Sequence, residues 1–275
     1  MDLLKAVSST TTGMEILKNP EVVFHVAAGG HLSVLDWLLC VTDGGFSDHK
    51  AQACAGASAG GQLELLKPLL LQLQHDNKCT ESTFSSAAQF NQLHILKWAH
   101  ENNYDLGSVI CANSAAQAGH VQILQWLHTN NYPWNANQCG NTASLRGHLT
   151  VLQWIHTSGF NLCTSSTVEL AARGGHIPVL EWLQHSKAVA LPWNPLTCAR
   201  AAEGGHLETL LWLRKNNCSW NGLVCDAAAF GGYLHVLQWA HANGCDWHYD
   251  SVLENAKHNN HKHIVEWLLT KDSLP

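Results

Sequence analysis

Residues 201–213 read Ala201-Ala202-Glu203-Gly204-Gly205-His206-Leu207-Glu208-Thr209-Leu210-Leu211-Trp212-Leu213. Two alanines, which favour helix, run into a glycine pair and then into apolar residues at helical spacing. The stretch is therefore the end of one short helix, a tight turn and the start of a second. It recurs down the chain. Aligned on the residue after the turn, the copies begin at His31, Gln62, Gln92, His120, His148, His176, His206, Tyr233 and His261, 27–31 residues apart. A period in that range marks a helical repeat array. One unit is too small to bury its own apolar face, so units stack into a single elongated body.

Each unit has an inner helix of about eight to ten residues ending in an alanine pair, such as Ala87-Ala88 or Ala171-Ala172. Alanine lets neighbouring inner helices approach closely. Counted from the aligned residue, the outer helix is apolar at +1, +4 and +7 in nearly every copy, as in Leu149, Leu152 and Ile155. Position +6 is Trp in eight copies, from Trp37 to Trp267, and is expected to be core that locks unit to unit. Positions +2 and +5 are polar, broken only by Pro178 and Leu211, and form one wet ridge. Pro178 falls in a first helical turn, where a missing N–H costs little. Pro68 replaces the tryptophan inside an outer helix, where it is expected to kink or break it. Asn135, Asn194 and Asn221 suit helix entry.

The formal charge of −6 and the scarcity of charged residues argue against a nucleic-acid partner, which needs clustered Lys and Arg. No apolar stretch is long enough for a membrane span or a signal peptide, so an intracellular, cytoplasmic protein is expected. Seven of the ten cysteines share repeat register: Cys54, Cys198 and Cys225 at −8, Cys111 and Cys139 at −9, Cys218 and Cys245 at +12. Equivalent positions in adjacent repeats are about 8–10 Å apart, too far for the roughly 7 Å limit of a disulfide. All ten are expected to be free thiols.

The units resemble ankyrin repeats. Ala201-Ala202-Glu203-Gly204-Gly205-His206-Leu207-Glu208 is similar to that family's Ala-Ala-x-x-Gly-His-Leu-Glu core, over roughly residues 21–270. The family's Thr-Pro-Leu-His opening is mostly gone; Leu196-Thr197-Cys198-Ala199 stands there, and the loops are short. Together with the Trp-rich outer helices and the Pro-Trp-Asn loops, this is similar to a divergent variant found in protists and large DNA viruses. The resemblance implies an all-α solenoid of about nine stacked helix-turn-helix repeats. A degenerate N-terminal cap over residues 1–20 and a short tail over 271–275 flank the repeat domain at 21–270.

Catalytic chemistry finds no support. No nucleophile elbow, phosphate-cradling loop or metalloprotease motif is present. Register explains ten of the nineteen histidines: six are the aligned residue, and His100, His128, His156 and His241 lie at +8. His258, His261 and His263 are local but lack the fourth ligand of a structural zinc site. No metal, no cofactor and no enzyme activity are expected. The resemblance implies a monomeric, non-catalytic scaffold that binds another protein through its concave inner-helix wall. A small-ligand or metal site on the same scaffold is the competing reading. In ankyrin-like units the residues flanking the alanine pair face the groove. The candidate partner-binding residues are therefore Gln89, Gln117, Arg173, Arg200, Glu203 and Phe230. The loop residues Trp193 and Trp220 join them as hot-spot types, although packing against the next inner helix would also account for loop tryptophans.

Overall fold

A computed structural model describes residues 19–41, 46–72, 77–106, 108–160, 162, 165–186 and 193–272. The expected cap over residues 1–20 lies almost wholly outside them. The described residues form eighteen helices and no strand, paired as nine inner–outer repeats. They fall into two compact units, Met1–Asn135 and Ala136–Pro275. The first holds α1 (Pro20–Ala28), α2 (Leu32–Val41), α3 (Phe46–Ala59), α4 (Leu63–Gln72), α5 (Asn77–Gln89), α6 (Leu93–Glu101), α7 (Ser108–Ala118) and α8 (Val121–Thr129). The second holds α9 (Ala136–Arg146), α10 (Leu149–Thr157), α11 (Ser165–Arg173), α12 (Ile177–His185), α13 (Pro195–Glu203), α14 (Leu207–Lys215), α15 (Leu223–Gly231), α16 (Leu234–Ala242), α17 (Tyr249–His258) and α18 (Lys262–Asp272). Odd-numbered helices are inner, even-numbered outer.

Within each unit an inner helix packs chiefly on the next inner helix, and its own outer helix backs it. The alanine pairs make this possible: Ala87-Ala88, Ala171-Ala172 and Ala201-Ala202 are fully buried. In places main chain meets main chain. A Cβ on Gly204 would lie 2.0 Å from the Arg173 carbonyl, and one on Gly56, inside α3, 2.1 Å from that of Phe24. Outer helices bury +3, +4 and +7, as in Val151, Leu152 and Ile155. Position +1 is only half-buried in most copies, so the core stripe lies one position round the helix from the expected +1, +4 and +7.

The residue before the aligned position is left-handed in all nine repeats. Gly205 has φ 77°, and Asn91 and Asn260 hold the same conformation at 61° and 59°. Asparagine tolerates this region where glycine is replaced. The turn swings the aligned residue back onto the preceding repeat. Nε2 of His120, His176 and His261 donates to the carbonyls of Gln89, Leu145 and Phe230 at 3.0, 3.0 and 2.9 Å. The Gln62 and Gln92 amides donate to Ala28 and Ala59 in the same way, at 3.4 and 3.0 Å. A carbonyl only accepts, so each of these rings carries its proton on Nε2. The histidine column is thus a set of joints that satisfy carbonyls at inner-helix C-termini. A second set follows at +2, where His94, His235 and His263 reach the carbonyls of Gly61, Gly205 and Gly232.

Pro68 does not break its helix: α4 runs unbroken from Leu63 to Gln72, with the ring exposed in the place a tryptophan takes elsewhere. Pro178 lies in the first turn of α12. Asn194 caps α13, its side chain accepting from Thr197 N at 3.0 Å, and Asn221 accepts from Leu223 N at 3.2 Å. Among the described residues no helix is long and apolar enough to cross a membrane.

Candidate partner-binding face

The inner helices carry three varied columns. They are the residue before the alanine pair, the residue just after it, and the residue one before the first of these. In the first unit, Gln89 ends α5 and Gln117 lies near the end of α7, both exposed. In the second unit the columns bring together Glu169, Arg173, Arg200, Glu203, Asp226 and Phe230. Arg173 Nη2 meets Glu203 Oε1 at 3.0 Å and Arg200 Nη1 meets Glu203 Oε2 at 2.5 Å. Arg200 Nε also lies 4.0 Å from Glu169. The nearly buried Glu203 carboxylate thus holds two guanidinium groups, one through each oxygen, and the arginines are partners within the face.

Beside this network is an open concavity of about 300 Å³ between α13, α15 and α17. Leu196, Leu223 and Phe230 form its apolar walls; Leu223 and Phe230 are each 47% exposed. Asp226 and Asn255 line it on the polar side, and Arg200 and Glu203 at its edge. Among the described residues Asp226 makes no ion pair, and its Oδ1 is buried without a hydrogen-bond partner. That is costly for a carboxylate and marks a place where a donor is missing.

Arg200, Glu203 and Phe230 line this concavity, and Arg173 joins it through Glu203. Trp193 and Trp220 lie elsewhere. Trp193 packs edge-on against Trp212 of α14 at 5.8 Å, and Trp220 packs at a tilt against Trp239 of α16 at 5.5 Å. Arg214 covers the Trp220 ring at 4.5 Å. These loop tryptophans pack on the outer helix of the repeat they introduce. The outer-helix tryptophans are themselves half-buried, not core, because they form an aromatic layer with these loops. Trp126 stacks on Tyr132 and meets His100 edge-on, both at 5.7 Å. The histidines at +8 belong to this layer too: His156 meets Trp182, and His241 meets Trp247 and Trp267.

Sequence reasoning did not single out Leu196, Leu223, Asp226 or Asn255. The column of Asp226 held the usable signal: it reads Asn141, Glu169, Ala199, Asp226, Glu254 through the second unit, and lies one helical turn from the Phe230 column. His261 and His263 each spend Nε2 on a carbonyl. No group of three or more His, Cys, Asp or Glu among the described residues is arranged to hold a metal ion.

No protein-family model matches the chain, and no curated protein matches it.

Proposed function

We propose that this chain is a non-catalytic, ankyrin-like binding module that docks a partner protein on the inner-helix face of its second unit. The supporting observation is the concavity between α13, α15 and α17, with exposed apolar walls beside a carboxylate that makes no ion pair among the described residues. Its volume is at the bottom of the range of small-molecule pockets, which run about 300–1,000 Å³ and enclose their ligands. A shallow site of this size suits one or two side chains of a protein. Asp226 selects a lysine or arginine, whose aliphatic stem covers Phe230 and Leu223 while its head pairs with the carboxylate from the concavity side. The outer-helix ridge of Gln122, Gln125 and Gln153 is exposed but uniform in character, and offers no such anchor.

A peptide-display library panned on the intact chain tests this. Enriched peptides should carry Lys or Arg beside an apolar residue. Asp226→Asn and Phe230→Ala should each weaken them by about 2 kcal/mol, roughly thirtyfold in affinity. The ridge variant Gln122→Ala/Gln125→Ala/Gln153→Ala should bind as before. Peptides that survive both pocket changes, or are lost on the ridge change, refute the assignment.

A further inference from the structure

Positions −8 and +12 of one repeat meet across the inner helix and the loop that follows its outer helix. Phe84 and Tyr104 show the geometry, with rings 6.0 Å apart. In two consecutive repeats of the second unit both positions are cysteine. Cys198, in α13, faces Cys218, in the loop before α15; Cys225, in α15, faces Cys245, in the loop before α17. Each pair is in contact, the Cys198 thiol with that of Cys218 and the Cys225 thiol with that of Cys245. Each loop thiol passes its own hydrogen on to a main-chain carbonyl, Cys218 to Asn194 at 3.4 Å and Cys245 to Asn221 at 3.2 Å. All four are free thiols, buried from solvent. The same thiol pair, with its loop member bonded to the carbonyl at the same turn and built twice in successive repeats, is not what four unrelated small core residues produce.

We propose that Cys198–Cys218 and Cys225–Cys245 are two intra-repeat dithiol sites that undergo two-electron oxidation by exchange with a small-molecule disulfide. The roles within each pair follow from its asymmetry, one thiol in a loop and the other inside an inner helix. Contact with the Cys198 thiol, with the Arg214 guanidinium nearby, holds the Cys218 thiol below its ordinary range, against the opposing effect of burial. The same contact, and then burial, push Cys198 up. Cys245 is likewise lowered by Cys225, against burial. The loop cysteine is therefore the attacking thiolate, reached when its loop opens locally. It attacks one sulfur of the disulfide RSSR, forming a mixed disulfide and expelling RS⁻, which leaves as RSH with the thiol's proton. The inner-helix cysteine then gives up its proton and attacks the loop sulfur, expelling the second RS⁻, which takes that proton. Two protein thiols and one RSSR become one protein disulfide and two RSH. Same-register cysteines in adjacent repeats cannot do this, because the repeat spacing separates them. The bond ties α13 to the entry of α15, the two helices that carry Leu196, Arg200, Leu223 and Asp226.

The test equilibrates the full chain in mixtures of reduced and oxidised glutathione, quenches in acid, alkylates without reductant under denaturing conditions and reads intact mass. Fully reduced protein should take ten labels, one for each cysteine in the sequence. Oxidised protein should take six, with the loss of two hydrogens per bond, and peptide mapping should find Cys198–Cys218 and Cys225–Cys245. The thermal midpoint should rise on oxidation. Cys218→Ser and Cys245→Ser should each abolish one bond and leave the other. Ten labels in oxidising mixtures, glutathione adducts without internal bonds, or bonds between other cysteines overturn the proposal.

Discussion

Gly56→Ala sets two physical effects against each other in one substitution. Gly56 is inside α3, where alanine gains about 1 kcal/mol in helix propensity over glycine. Propensity alone therefore calls for a stabilised protein. Packing calls for the reverse. The new Cβ would stand 2.1 Å from the Phe24 carbonyl oxygen of α1, and 2.8 and 2.9 Å from the Phe24 carbonyl carbon and Cα. Ordinary contact begins at 3.4 Å, so the two helices must separate by more than an ångström. The obstacle is main chain, which has no rotamer to change, and overpacking of this kind costs about 3 kcal/mol or somewhat more. The net expectation is a loss of about 2 kcal/mol, the overpacking cost less the propensity gain. With a urea dependence of about 2 kcal/mol/M, the unfolding midpoint falls by about 1 M. Urea titration followed by circular dichroism reads this directly. A midpoint unchanged or raised would show that α1 and α3 are not in main-chain contact at Gly56, and that close approach of inner helices is not what holds the first unit together.

Burial, and then His176, push the His206 pKa below its ordinary value of 6.5. The unfolded chain then takes up this proton first as pH falls, so the stabilisation is complete above pH 6.5 and is lost as pH drops through the folded-state value. His206→Gln keeps the N–H donor that Gln62 and Gln92 already supply at the same position. It should flatten the decline of the urea midpoint below pH 6.5, and an unchanged slope relative to the parent protein would refute the assignment. Pro68→Ala restores the N–H that proline removes from α4, and should stabilise the first unit by up to about 3 kcal/mol. Hydrogen exchange should slow over residues 62–72 and stay the same over 140–157; uniform protection in both proteins would show that α4 is not a weak joint.

The repeat frame was legible because its determinants are local. A left-handed turn accepts Gly or Asn, an inner helix needs alanine where its neighbour approaches, and both recur at one spacing. A second left-handed turn, closing the outer helix at Asn103, Asn131, Gly159, Asn217 and Gly244, escaped notice because two residue types share it and no alanine pair announces it. The tryptophans were misplaced for a related reason. Helical spacing says which residues share a face, but whether that face meets core or a neighbouring loop depends on the next repeat. The candidate site was harder still. Arg173 read as a free anchor because it was viewed in its own repeat, whereas Glu203 of the next repeat engages it together with Arg200. The concavity lies between three inner helices, so Leu196, Asp226 and Asn255 meet only once the stacking is known. The thiol pairs stayed hidden because like columns were compared with like, and these contacts join unlike ones.

The joints between repeats have a bearing on how such a chain diversifies. The donor is a side chain carried by the later repeat, and the acceptor is a peptide oxygen, present whatever residue supplies it. Those oxygens belong to Ala28, Ala59, Gln89, Leu145 and Phe230, residues in the same column whose side chains vary along the inner face. One residue thus serves assembly through its backbone and recognition through its side chain, and the two can change independently. A gene duplication that copies a whole repeat copies a complete attachment with it, and point mutations in that column rewrite what the face recognises without loosening the joint.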